Sequence, residues 1–269
     1  MIITGYILFV FIGIVLGLIG GGGSILGVPV LVYLLGFPAD VATGYSLFIV
    51  GLTSLIGSYR NIAKGNISLE SLLIFAIPSL ITVFCVRNYL MPVLPEVIFT
   101  WGNFMVKKNF LIMFVFSMLM IFSSFSMIRS NRIPRRKEIN REEFARSPLQ
   151  VPIVISLGIA VGFLSGFVGA GGGFLIIPVL VFFVRVPIKK AIGTSLAIIA
   201  INSLIGFAGT FGHINADWKF LLTLSSLAIA GIIIGTYLNN FVSGKRLKPA
   251  FGWFTLVVGI FIVIKELVL

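Results

Sequence analysis

Residues 13–32 read GIVLGLIGGGGSILGVPVLV, and residues 162–181 read GFLSGFVGAGGGFLIIPVLV. The two stretches superimpose without a gap when the chain is shifted by 149 residues. Gly13, Gly17, Gly20, Gly22, Gly23 and Pro29 fall on Gly162, Gly166, Gly169, Gly171, Gly172 and Pro178. Further along, Pro38, Gly44, Ser46, Ser54 and Gly57 fall on Pro187, Gly193, Ser195, Ser203 and Gly206. In all, 20 of the 45 positions from Gly13 to Gly57 are identical. Shared apolar composition accounts for matched Leu and Val, but not for glycines and prolines held in register. The chain is read as an internal duplication. A first membrane repeat covers 1–128, a linker covers 129–149 and a second repeat covers 150–269.

The 269 residues are 58% hydrophobic and 10% charged, with a mean hydropathy of +1.15. Soluble domains run at about 45–50% apolar and about 25% charged, so a polytopic membrane protein is expected. A crossing needs about 20 mostly apolar residues. Six stretches meet that: 41–59, 69–90, 109–128, 190–211, 219–240 and 249–268. Two further apolar regions, 2–36 and 151–184, are too long for one crossing and are interrupted by their glycine runs. Consecutive glycines break a helix, so each region predicts a helix, a non-helical glycine stretch and a short helix. The expected fold is all-α, each half holding a Gly-broken, re-entrant helix pair and three transmembrane helices, with the halves inverted. The N-terminus lacks a basic n-region and is read as part of the mature protein. Cys85, flanked by Val83, Phe84 and Val86, is expected to be a buried small hydrophobe.

Charge orients the chain. Lys and Arg exceed Asp and Glu by 12, which in a membrane protein points to cytoplasmic loops rather than to nucleic acid. If each broken region were one crossing, the basic residues would divide 11 to 9. If each returned as a hairpin, 60–68, 129–149, 185–190 and 241–248 would share a face carrying 15 of the 20. The positive-inside rule favours the hairpins. It makes the 129–149 loop, with seven basic residues, cytoplasmic in a bacterial inner membrane.

Duplicated halves with broken helices at corresponding positions point to a secondary transporter. Free N–H groups at the start of a short helix carry partial positive charge and attract anions. The residues expected to bind substrate are Gly22, Gly23 and Ser24 in the first half and Gly171, Gly172 and Gly173 in the second. The following crossings add Ser46, Thr53 and Ser54, and Thr194, Ser195, Asn202 and Ser203. Such a site would need no buried Lys or Arg. Asp40, Arg60, His213 and Asp217 are the expected coupling or gating residues. An N-cap role competes for Asp40, headgroup contact for Arg60 and simple solvation for His213.

The glycine segments resemble the signatures of the TauE/SafE family of sulfite exporters and sulfonate permeases. There a G-x-G-G-G-x-hydrophobic-x-x-P-x-L segment precedes a G-T-S-L-like segment, once per half. Gly193-Thr194-Ser195-Leu196 matches the latter, and Gly44-Tyr45-Ser46-Leu47 departs from it at Tyr45. Gly65-Asn66-Ile67-Ser68 and, more loosely, Gly212-His213-Ile214-Asn215 resemble the turn after the next helix. The resemblance implies secondary transport of small sulfur-containing or organic anions such as sulfite, sulfonates or sulfoacetate. The proton is the coupling ion considered among the expected partners. A passive anion channel and a non-transporting membrane subunit are the alternatives. One His, no HExxH, no C-x-x-C and no Walker lysine argue against an enzyme, a metal site, a cofactor or an ATP-driven pump.

Overall fold

Helices form where the sequence is apolar and unbroken, and they stop at the glycines. A computed structural model describes residues 2–101, 104–129, 150–184, 186–214, 216–239, 241 and 244–268. The expected linker over 130–149 lies outside the described residues, as does Arg185. Among the described residues the helices of the first half are α1 (Ile2–Ile19), α2 (Gly21–Leu34), α3 (Ala39–Ala63), α4 (Leu69–Val93) and α5 (Lys108–Arg129). The second half holds α6 (Gln150–Val168), α7 (Gly173–Phe182), α8 (Ile188–Thr210), α9 (Trp218–Leu238) and α10 (Gly244–Val268). Seven of them are long and apolar enough to cross a membrane, while α1, α2 and α7 are shorter apolar helices. Apolar stripes such as Ile3, Ile7 and Phe11 on α1 and Leu69, Leu73, Ile77 and Ile81 on α4 face outward. A soluble protein could not leave these stripes in water, and the chain is an integral membrane protein.

The chain is mostly helical as expected, with one small addition, and two other expectations need correction. The addition is a hairpin between α4 and α5, in which β1 (Val97–Trp101) pairs antiparallel with β2 (Phe104–Lys107). Val, Ile, Phe, Thr and Trp favour extended backbone, and the surrounding polar connection hid that run. The first glycine run is not non-helical. Only Gly20 leaves helical space, at φ 80, and Gly21–Leu26 winds as a tight 3-10 helix. Cys85 is exposed rather than buried, because it sits beside the outward Phe84 on α4.

The 149-residue spacing recurs in the backbone hydrogen bonds. Gly20 N donates to Leu16 O at 2.9 Å, and Gly169 N donates to Ser165 O at 2.9 Å. After Pro29, Leu35 N reaches Val30 O at 3.1 Å; after Pro178, Val184 N reaches Val179 O at 3.3 Å. These i→i−5 bonds are widened last turns.

Glycine contacts set how the helices lie. The chain doubles back at each break. Gly23 meets Leu16 and Gly5 meets Leu35, so α2 returns along α1. Gly172 meets Ser165 and Val161, so α7 returns along α6. The α1 helix runs beside α9 in the same direction: a Cβ on Gly13 would lie 2.1 Å from Ala228 O, and one on Gly235 would lie 2.2 Å from Ile14 O. The close packing expected of the Gly13/Gly17 spacing is the role these glycines have. The α6 helix runs beside α4 likewise, Gly158 meeting Phe75, Gly162 meeting Ser79 and Gly166 meeting Val83 and Val86. At the centre α3 and α8 lie antiparallel, with Gly51 against Leu204 and Gly206 against Leu47.

Gly13→Val should therefore lower stability in detergent by roughly 1–3 kcal/mol or more, as should Gly231→Val, whose Cβ would lie 2.1 Å from Val10 O. Thermal unfolding of the purified variants measures the loss. A Gly36→Ala variant, where the left-handed φ of 76 but no neighbour opposes the new Cβ, separates backbone strain from crowding.

Candidate functional site

Two helix starts meet inside the protein. Gly20 precedes α2 and Gly172 precedes α7, and neither start has a side-chain cap. A Cβ on Gly21 would lie 2.6 Å from Gly173 Cα, and one on Gly173 would lie 2.4 Å from Gly21 O. Only glycine permits that approach. The same Cβ positions would each lie 2.5 Å from Ile199 at the middle of α8. Gly171, at φ 66, faces Val50 of α3 and Ile199 and Ser203 of α8. The first turns of two helices, with their partial positive charge, are thus enclosed by α3 and α8.

All thirteen residues expected to bind substrate are buried. Their side chains divide into spent and free. Ser24 Oγ donates to Gly21 O at 2.8 Å, Thr53 to Ile49 O at 2.6 Å and Ser195 to Ile192 O at 2.9 Å. Those three satisfy their own helices, the common fate of Ser and Thr in a crossing. Thr194 Oγ1 accepts from Ser68 N at 3.0 Å, tying the 64–68 turn to α8. By contrast the hydroxyls of Ser46, Ser54 and Ser203 have no hydrogen-bond partner, nor has Asn202 Oδ1. Ser203 Oγ lies 2.6 Å from the Cβ position of Gly171, and Ser46 Oγ lies 2.8 Å from that of Gly27. The second helix start thus has a free hydroxyl beside it, and another lies against the middle of α2.

The four expected coupling residues are not brought to this place. Asp217 is exposed and caps α9, its Oδ1 accepting from Phe220 N at 3.1 Å. Its backbone N–H donates to Tyr45 Oη at 2.9 Å. His213 is exposed in the 211–214 turn, and Arg60 is exposed near the end of α3. Asp40 lies half-buried in the first turn of α3, where Oδ1 accepts from Val41 N at 2.8 Å.

The sequence reading missed Ser165, a buried hydroxyl without a partner beside Gly172, and Arg87. Arg87 is one of the five basic residues that fall outside the four basic loops, and it is 2% exposed within the α4 span. The signal in the sequence is a lone cation in an apolar run; in the structure Arg87 lies within the break in regular α-helix over Val86–Leu90.

A model of the sulfite exporter TauE/SafE family matches residues 6–262. The chain belongs to the TauE/SafE family. It is similar to a "Probable membrane transporter protein" of Xylella fastidiosa, at 29% identity over 94% of this chain and 91% of the relative. A protein of the same description from Methanocaldococcus jannaschii is 28% identical over 98% of this chain and 94% of its own length. A third, YunE of Bacillus subtilis, is 27% identical over 90% of this chain and 91% of its own. No solved structure matches. The chain is a membrane transporter of this family, and its relatives' names are those of transporters rather than enzymes.

The position of Asp217 generates a test of its role. Asp217→Ala should cost about 1 kcal/mol of stability through loss of the α9 cap, while Asp217→Asn, which also caps, should cost little. Thermal unfolding distinguishes the two, and a coupling role that needs the negative charge would instead make Asn as damaging as Ala to transport.

Proposed function

We propose that this TauE/SafE protein is a secondary transporter of small oxyanions, of the sulfite, sulfonate or sulfoacetate kind, working by alternating access. The observation that carries the proposal is the meeting of two uncapped helix starts, at Gly21 and Gly173, beside buried hydroxyls that have no other partner. Oxyanions accept several hydrogen bonds, and neutral donors at a helix start suit them. Irregular backbone at membrane depth is tolerated where it is covered by protein or lines a polar path. The backbone contact of Gly21 and Gly173 leaves no width for an ion between them, which fits a carrier that must rearrange rather than an open pore.

The chain directions support inverted halves. Tyr45 pairs with Asp217 and Gly57 meets Ile232, so α3 runs with α9 and α1. Asn202 pairs with Ser79 and Gly206 meets Val83, so α8 runs with α4 and α6. Since α3 and α8 are antiparallel, α1 and α6 point opposite ways, and the doubled-back pairs α1–α2 and α6–α7 enter from opposite faces. On that arrangement the basic loops share the cytoplasmic face, and the halves are exchangeable in the sense alternating access requires.

Proteoliposomes loaded with sulfite, methanesulfonate or sulfoacetate should show saturable uptake driven by a substrate gradient, with an imposed pH gradient reporting proton coupling. Gly173→Ala, which forces the tips apart, should abolish uptake while the protein still inserts. Non-saturable current would show a channel instead. Single cysteines at Pro38 and Lys189, in a Cys85→Ser background, should react with impermeant maleimide from opposite faces; labelling from one face would remove the inverted arrangement.

A further inference from the structure

Arg87 carries chemistry that the glycine tips leave unused. It sits eight residues after Ser79 on α4, about 12 Å along the helix axis at 1.5 Å per residue. Ser79 accepts a hydrogen bond from Asn202 Nδ2 at the level of the free hydroxyls. Around Arg87 the helix widens over Val86–Leu90, an irregularity often found at functional positions. Gly209 makes room for it, since a Cβ there would lie 3.1 Å from Arg87 Cβ. Arg87 Nη1 donates to Thr43 Oγ1 on α3 at 3.0 Å, and Thr43 in turn donates to Asp40 O at 2.8 Å. Thr43 also touches Gly169, the first residue of the second glycine break. Arg87 therefore joins α4, α3 and α8 beside the end of α6.

The guanidinium has five N–H donors, and Thr43 takes one of them. Nε and Nη2 are buried and have no partner. These two nitrogens form one edge of the planar group, and their N–H bonds point the same way. That edge receives two oxygens of a carboxylate or sulfonate side by side. Asp40, three residues before Thr43 on the same helix, supplies an attractive charge to Arg87, but it makes no hydrogen bond to the free edge. A buried cation in a membrane span is costly unless paired, and such residues mark ion paths. A purely structural arginine would spend its fork on backbone carbonyls or on Asp40. Here Thr43 fixes the group's orientation and the fork is left over.

We propose that Arg87 is an anion-binding residue, whose Nε–Nη2 edge holds two oxygens of a small oxyanion at the end of the path away from the basic loops, with Asp40 as its counter-charge. This role rests on the transport of oxyanions proposed above, and it commits to ligands with at least two oxygens on one centre. Halides, which offer one point of contact, should bind far less well.

The purified protein is titrated with sodium sulfite, sodium methanesulfonate and sodium acetate, against sodium chloride at matched ionic strength, with thermal unfolding as the readout of binding. The wild type should be stabilised by at least one of the three oxyanions and not by chloride. Arg87→Gln should lose the stabilisation. Arg87→Lys, a point charge without a fork, and Thr43→Val, which removes the anchor on Nη1, should each weaken the Kd by about tenfold or more. These two variants decide the matter if Arg87→Gln fails to fold. Lys64→Gln, on an exposed lysine, should bind as the wild type does. The proposal is overturned if no oxyanion stabilises the wild type, if the Arg87 and Thr43 variants bind unchanged, or if Lys64→Gln loses binding equally. Flux is measured separately in proteoliposomes. Arg87-dependent binding without flux upholds the site and removes the transport proposal, whereas flux with Arg87-independent binding does the reverse.

Discussion

The contact between Gly21 and Gly173 is the constraint on which the rest of the structure depends. Two stretches of backbone touch there with no side chain between them, at a depth where water is not available to pair their polar groups. Such a contact survives only if it is wrapped. The α3 and α8 helices provide the wrapping, and they are the most enclosed of the crossings. They lie close because Gly51 and Gly206 let Leu204 and Leu47 pack into them. The remaining crossings then shield α3 and α8 from lipid. Each further layer follows from covering the irregular backbone at the centre.

Much of this was legible in the sequence because membrane burial leaves a readable trace. The helix limits follow the apolar runs, and the two breaks fall at the glycines that the 149-residue shift aligns. The order of layers was also written in hydropathy. The α3 and α8 helices are less apolar than the other crossings. A helix enclosed by protein can leave the polar groups of Ser and Asn unpaired by its own backbone, whereas outward hydroxyls such as Ser156, Thr223 and Ser226 bond back to their own helices. What stayed hidden depends on partners distant in the chain. Arg87 near the end of an apolar run looks like a loop charge until Gly209 and Thr43 are packed against it. The shift pairs it with Thr236, so the duplication gives no hint. Whether Cys85 faces lipid or protein is a matter of a 100° turn on α4, which a flank of uniform hydrophobicity does not fix.

The two halves share a backbone plan but not a chemistry. Ser46 is free and its counterpart Ser195 is spent on its own helix, while Ser54 and Ser203 are both free. The first half alone carries the pair Asp40 and Arg87, since the shift puts Lys189 and Thr236 in their places. An inverted scaffold with equal chemistry in both halves would present the same site to either side of the membrane. Unequal chemistry distinguishes the halves, so what sets one apart from the other lies in side chains rather than in the fold.

The glycine seams carry a mechanical meaning. One seam joins α1 to α9, and the other joins α6 to α4, so each binds a helix of one repeat to a helix of the other. Sliding the first repeat as a block against the second would tear both seams, at contacts where backbone meets backbone and little can give. Moving the α1–α9 pair, with α3 alongside, against the α4–α6 pair, with α8 alongside, would tear neither. The closely packed blocks of the molecule therefore do not coincide with the two aligned stretches of sequence, and the boundary between α1–α9–α3 and α4–α6–α8 runs along the contact of α3 with α8.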